Sequence, residues 1–137
     1  MTYKQLKTLA SALLIGDNKL PQDNDLILAL LEMAYIYLVD KCQVLNLSTL
    51  DKSAHIQRLG KGSYVVRKPN LPAVDTDELD IDEELGYVVA SLIVSYISDK
   101  KTAIHQSRAD DGIRSYNAKV DELIESLKLQ EDGTYDT

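Results

Sequence analysis

At 137 residues, 45% of them hydrophobic and 27% charged, the chain has the length and balance of one globular domain with its own core, which excludes a disordered polymer. Its formal charge of −7 provides no basic field to displace the counterions of a phosphate backbone, which argues against a nucleic-acid binder. One cysteine, Cys42, excludes an intrachain disulfide and a multi-cysteine zinc site, and reads as a small apolar core residue of a protein made in a reducing cytoplasm.

The opening M-T-Y-K-Q-L-K-T-L-A has neither the basic n-region nor the continuous apolar core of a signal peptide. From Thr2 to Ile15, Tyr3, Leu6, Leu9, Ala10, Leu13 and Leu14 share one side while Lys4 and Lys7 take the other. That spacing predicts an amphipathic helix, ended by the turn Gly16-Asp17-Asn18. Pro21 and Asp23-Asn24-Asp25 then open a second helix. Its stripe is Leu26, Ile27, Leu30, Leu31, Ala34 and Leu38, with Leu28, Tyr35 and Val39 beside it. Being apolar over much of its circumference, this helix is expected at the centre of the fold or shared between subunits.

After Cys42 the helical period fades. His55-Ile56-Gln57-Arg58-Leu59 and Ser63-Tyr64-Val65-Val66-Arg67 read as short strands joined by Gly60-Lys61-Gly62, a hairpin over about 54–69 that carries Arg58, Arg67 and Lys68. An isolated hairpin is marginal in water, so this one needs a surface to lie against. Pro69-Asn70-Leu71-Pro72 makes an extended connector, because the residue before each Pro is kept out of the helical region.

The stretch 75–84 holds seven acids and no base, and removing those seven from the chain's 22 leaves 15 acids against 15 Lys and Arg. This one segment therefore accounts for the whole net charge. D-x-x-E at Asp80 and Glu83 predicts a capping box at the start of a third helix. In that helix Leu85, Val88, Val89, Leu92, Ile93, Tyr96 and Ile97 form the buried face. A fourth helix is expected over roughly 101–127, on Ile113, Tyr116, Val120, Leu123, Ile124 and Leu127, with Asp110-Asp111-Gly112 as a place where it kinks or divides. The remainder, 129–137, has no period and reads as a mobile tail on a single domain, 1–128. No apolar run reaches the roughly 20 residues of a membrane span. Trp and Phe are absent while Tyr occurs eight times, so the large packing side chains carry hydroxyls that need partners or a place at the rim.

The chemical candidates fail on spacing. Asp75 and Asp77 match the first two ligands of a Ca²⁺ loop, but Leu79, Asp80 and Gly86 stand where a ligand, a Gly and the bidentate Glu are needed. Gly60-Lys61-Gly62-Ser63 lacks the G-x-x-x-x-G-K-[ST] spacing of a phosphate loop. His55 and His105 stand in different elements without a second histidine at metal spacing. No catalysis, metal or cofactor is expected.

The order of elements, the run L-D-I-D-E-E-L followed by V-V-A-S-L-I-V-S-Y-I-S, and R-S-Y-N-A-K-V in the last helix resemble the head-to-tail connector (adaptor) proteins of tailed bacteriophages, over roughly Pro21 to Leu127. The resemblance implies a mainly α, four-helix bundle-like domain with one β-hairpin or extended loop between the second and third helices. It also implies a homo-oligomeric ring of about twelve copies at the head–tail junction of the virion. Its partners would be the portal protein and the next tail component, with DNA passing through the channel unbound and no membrane involved.

On this reading the subunit contacts fall to Ile56, Arg58, Tyr64, Val66, Arg67 and Lys68 of the hairpin and to Asp75, Asp77 and Glu78 of the acidic segment. Those acids either pair with bases of a neighbour or face the channel and repel DNA. Leu127, Leu129 and Tyr135 would dock on the portal. The rival expectation is a small acidic binding module, an antitoxin-like or DNA-mimicking inhibitor whose carboxylates imitate phosphates.

Overall fold

The computed structural model describes residues 1–47 and 68–131, with side chains as far as Ser126. Among the described residues the chain forms α1 (Tyr3–Leu13), α2 (Asn24–Lys41), α3 (Glu83–Ile97) and α4 (Thr102–Glu131). The architecture is mainly α and bundle-like, as expected. The hairpin predicted over 54–69 lies almost wholly outside the described residues, and with it Ile56, Arg58, Tyr64, Val66 and Arg67.

Each early boundary follows from local chemistry. Thr2 caps α1 in a capping box: its hydroxyl accepts the Gln5 N–H at 3.2 Å, and the Gln5 side chain accepts the Thr2 N–H at 2.9 Å. Gly16 turns the chain out with φ +82°, a conformation that costs glycine little. Asp23 then caps α2 by accepting the Asp25 N–H at 2.9 Å.

The third helix, not the second, is the central one. α3 packs against α1, α2 and α4, most extensively α4, and its buried set extends beyond the predicted stripe to Gly86, Ala90, Val94 and Ser95. Three neighbours can cover three faces, so a helix apolar all round suits the middle. Ser95 is tolerated there because its hydroxyl donates to the Leu92 carbonyl at 2.6 Å. Among the described residues α2 by contrast has α3 as its principal helix neighbour. It buries Ile27, Leu31, Ala34, Tyr35 and Leu38 and leaves Leu26, Met33 and Ile36 about half exposed.

α4 faces α3 with Ala109, Ile113, Tyr116, Val120 and Ile124. Asp110-Asp111-Gly112 does not divide it. Gly112 serves the packing instead, since a Cβ there would lie 2.6 Å from Val88 Cγ2. The helix also continues to Glu131, so Leu127 and Leu129 belong to helical backbone. Leu, Lys, Gln and Glu there are good helix formers, and the fading of the apolar period did not end the helix. Tyr135 lies outside the described residues.

Candidate functional site

The acidic segment is where the chain's elements meet. Its backbone completes the start of α1: the Tyr3 N–H donates to the Asp77 carbonyl at 2.9 Å, the Lys4 N–H to the Asp75 carbonyl at 3.0 Å, and the Leu79 N–H to the Met1 carbonyl at 2.9 Å. Thr2 and Glu78 form an isolated antiparallel bridge. The N–H groups that a first helical turn leaves unpaired thus find carbonyls of the acidic segment.

The side chains extend this role. Asp75 accepts Lys7 Nζ at 2.6 Å, and that ammonium also lies 4.4 Å from the centre of the Tyr3 ring. Asp77 turns back on its own loop and accepts the Val74 and Ala73 N–H groups at 3.0 and 2.7 Å, which holds its carboxyl below the usual range. Glu78 takes the Met1 ammonium at 2.9 Å. Asp80 accepts the Asn70 N–H at 3.0 Å. Glu84 pairs with Lys119 of α4.

Asp82 binds most deeply. It is the N-cap of α3, but its side chain does not cap that helix. One carboxylate oxygen accepts both the Leu47 N–H at 2.8 Å and the Tyr116 hydroxyl at 2.7 Å, while the Asp82 N–H donates to the Leu45 carbonyl at 2.9 Å. Burial first, and then the hydrogen bond to Asp82, push the Tyr116 hydroxyl far above its ordinary pKa, so it remains a donor. The capping box expected at Asp80 and Glu83 is therefore replaced. The cap is Asp82, two residues after Asp80, whose carboxylate holds the connector, and the Asp82 backbone carbonyl takes the Leu85 and Gly86 N–H groups.

These contacts grip both flanks of the stretch 48–67. Leu47, just before it, is held by Asp82. Asn70, just after it, is held by Asp80, and Lys68 pairs with Glu32 of α2 at 2.5 Å. Of the predicted interface residues, Asp75, Asp77 and Glu78 are brought together within a few residues of one another on the α1 side, and Lys68 stands apart on α2. Every one of these described residues has a partner in its own chain.

The opposite end of the bundle has an anchor that sequence reasoning missed. Asp17 accepts the Ser98 hydroxyl at 2.5 Å and the N–H groups of Asn18 and Asp99 at 2.7 and 2.9 Å, which hold its carboxyl well below the usual range. Asn18 adds its side-chain amide to the Ile97 carbonyl at 2.9 Å, and Ser98 in turn accepts the Lys101 N–H at the start of α4. The only signal in the sequence was an Asp in a Gly-Asp-Asn turn, which reads equally well as a simple stop.

Among the described residues the cysteine and the histidine are both buried. Burial pushes the Cys42 thiol up to about 11, so it is protonated at neutral pH and a poor nucleophile. His105 is buried, with neither ring nitrogen hydrogen-bonded among the described residues, and burial and the nearby Arg108 and Lys101 lower its pKa against the opposing pull of Asp17. Among the described residues no three His, Cys, Asp or Glu side chains surround a point where a metal ion would sit. No helix among them is long and apolar enough to cross a membrane.

Among the described residues an open groove of about 480 Å³ lies between α1 and α3, walled by Lys4, Thr8, Leu9 and Ala12 on one side and Glu83 and Tyr87 on the other. It is mostly apolar, and its volume is in the range of ligand-sized clefts. Comparisons of the chain with protein-family models, with curated proteins and with solved structures find no match.

Proposed function

We propose that this chain is a structural connector of a tailed-bacteriophage particle, assembling as a ring between portal and tail and acting through its surfaces rather than through catalysis. The observation that carries this reading is the grip of the acidic segment on both flanks of the stretch 48–67, through Leu47–Asp82 and Asn70–Asp80. A connector needs a rigid body from which a contact arm departs at a defined place. These bonds supply the fixed base, and the stretch between them holds Ile56, Arg58, Tyr64, Val66 and Arg67, the residues assigned to the subunit contact by resemblance.

The rival reading, a DNA-mimicking inhibitor, requires carboxylates displayed in a row to a basic partner. Asp75, Asp77, Asp80 and Asp82 instead accept donors of their own chain, which favours the connector.

The test is electron microscopy of the protein mixed with the portal ring of its own phage, together with a search for the chain in purified virions. The expected outcome is an added ring of density beneath the portal and the chain present in the particle. A protein that stays monomeric at high concentration, leaves the portal bare and is missing from virions overturns the reading.

A further inference from the structure

At the end of the bundle opposite the acidic segment, this acidic chain displays bases that have no partner. The α1–α2 turn abuts the start of α4 there: the Asp99 N–H donates to Asp17 at 2.9 Å, and Lys100 Nζ to the Gly16 carbonyl at 3.3 Å. The charged side chains of this end are the bases Lys19, Lys100, Lys101 and Arg108 and the acids Asp17 and Asp99. Asp17 is already held by Ser98 and the neighbouring N–H groups. Lys19, Lys101 and Arg108 are exposed, and among the described residues their side chains make no hydrogen bond or ion pair. Two isoleucines stand among them. Ile15 is 81% exposed, and Ile104, 50% exposed, shares a stripe of α4 with Lys101 and Arg108. Beside Ile15 and Lys19 the turn holds a hollow of about 380 Å³, lined also by Leu14 and Leu20.

A hollow with apolar walls beside unpaired bases fits an occupant that is acidic and carries an apolar side chain. The segment 129–137 has that composition, with Glu131, Asp132 and Asp136, no base, and Tyr135. The other acid-rich segment, 75–84, does not compete, because Asp75, Asp77, Glu78, Asp80, Asp82 and Glu84 are held within their own fold. Nor can a copy use its own Tyr135. α4 has 30 residues and is about 45 Å long, whereas Tyr135 lies four residues beyond its end, a reach of at most about 14 Å.

We propose that the segment 129–137 of one copy seats on this end of a second copy, with Tyr135 in the hollow beside Ile15 and the acids on Lys19, Lys101 and Arg108. Segment and site lie at opposite ends of α4, so each copy gives one contact and receives another. Such a contact is heterologous, the type that closes into a ring when the rotation allows. The inference rests on the ring reading above and gives the segment a neighbouring copy, rather than the portal, as its seat.

Two full-length variants test it, one carrying Asp132→Lys with Asp136→Lys and the other Lys101→Glu with Arg108→Glu. Each is compared with the wild-type chain by sedimentation velocity, free and with the portal ring. Either variant alone sets like charges against each other and should raise the concentration needed for half-assembly on the order of tenfold or more. Their equimolar mixture, in which segments again meet sites of opposite sign, should recover assembly. A synthetic peptide of residues 129–137 should compete with assembly. It should also raise the pKa of His105 followed by NMR, because Lys101 and Arg108, which lower it in the free chain, are then neutralised. Variants that assemble like the wild-type chain, or a mixture no better than its parts, overturn this contact and leave the ring reading intact. Vesicles of phosphatidylglycerol that bind the wild-type chain but not the Lys101→Glu, Arg108→Glu variant, with the peptide without effect, overturn the pairing in favour of a lipid surface. A wild-type chain that never assembles, free or on the portal, removes both.

Discussion

α2 and α3 are alike in sequence and opposite in circumstance. Both are apolar around most of their circumference, and on pattern alone α2 was the better candidate for the centre. In the fold α3 is enclosed by α1, α2 and α4, with Leu85, Val89 and Leu92 fully buried, whereas α2 rests on α3 and keeps Leu26, Met33 and Ile36 about half in water. Apolar content states how much cover a helix needs. Which element provides the cover, and whether it comes from the same chain, depends on the paths of the connections.

This contrast makes graded predictions. Leu92→Ala in α3 should cost the most, about 2–5 kcal/mol, because a fully buried site with neighbours on several sides cannot collapse into the space left. Urea denaturation at constant m-value would measure it. Tyr116→Phe removes a buried hydroxyl donated to the Asp82 carboxylate at 2.7 Å and should cost about 1.5–3 kcal/mol, the range for a hydrogen bond to a charged group. Its mirror is Tyr35→Phe: that buried hydroxyl has no hydrogen-bond partner among the described residues, so its removal should leave the denaturation midpoint unchanged or raise it.

Gly112→Ala tests the closest approach of α4 to α3. Overpacking against Val88 should cost about 1–3 kcal/mol, offset by about 1 kcal/mol of helix propensity. Adding Val88→Ala should relieve the clash, so a double-mutant cycle should give a favourable coupling.

His105 predicts a pH dependence of stability. Its folded pKa lies below the unfolded value of about 6.5, so the unfolded chain takes up the proton first. Stability should therefore fall as pH drops through about 6.5 and level off once the folded imidazole is also protonated. His105→Leu should flatten that part of the profile, measured as urea midpoints between about pH 7.5 and 5. Asp17 acts in a lower window. Its folded pKa is depressed, so its contribution is fully present above about pH 4 and is lost as the pH falls further. The smallest effect belongs to α2's outer face, where Met33→Lys should change the stability of the monomer by no more than about 0.5 kcal/mol. A large loss there would mean that the face is covered within one chain.

Much of the local structure could be read from residues. Thr2, Gly16 and Asp23 mark helix ends, and the spacing of Leu85, Val88, Val89, Leu92 and Ile93 places the buried face of α3. The expectation that tyrosine hydroxyls need partners holds for Tyr3, which donates to Asn24 at 2.7 Å, and for Tyr116, and fails for Tyr35. The acidic segment was legible as the seat of the net charge and the start of a helix but not in its wiring. Asp80 and Asp82 are chemically identical, and D-x-x-E favours Asp80 as the cap. The choice goes to Asp82 because Leu47 and Tyr116, each more than thirty residues away, supply donors at that point. Asp17 escaped notice for the same reason, since its principal donors lie about eighty residues further on.

By itself, then, the sequence determined the helical class, most helix ends and the concentration of negative charge in one segment. These depend on periodicity, capping and composition, which act over a few residues. Tertiary structure alone decided which apolar helix is enclosed, which carboxylate serves which donor, and that a ridge on α2 and a groove between α1 and α3 remain open. Each of those outcomes is a meeting of groups distant in the chain, and no local pattern records who will be the neighbour.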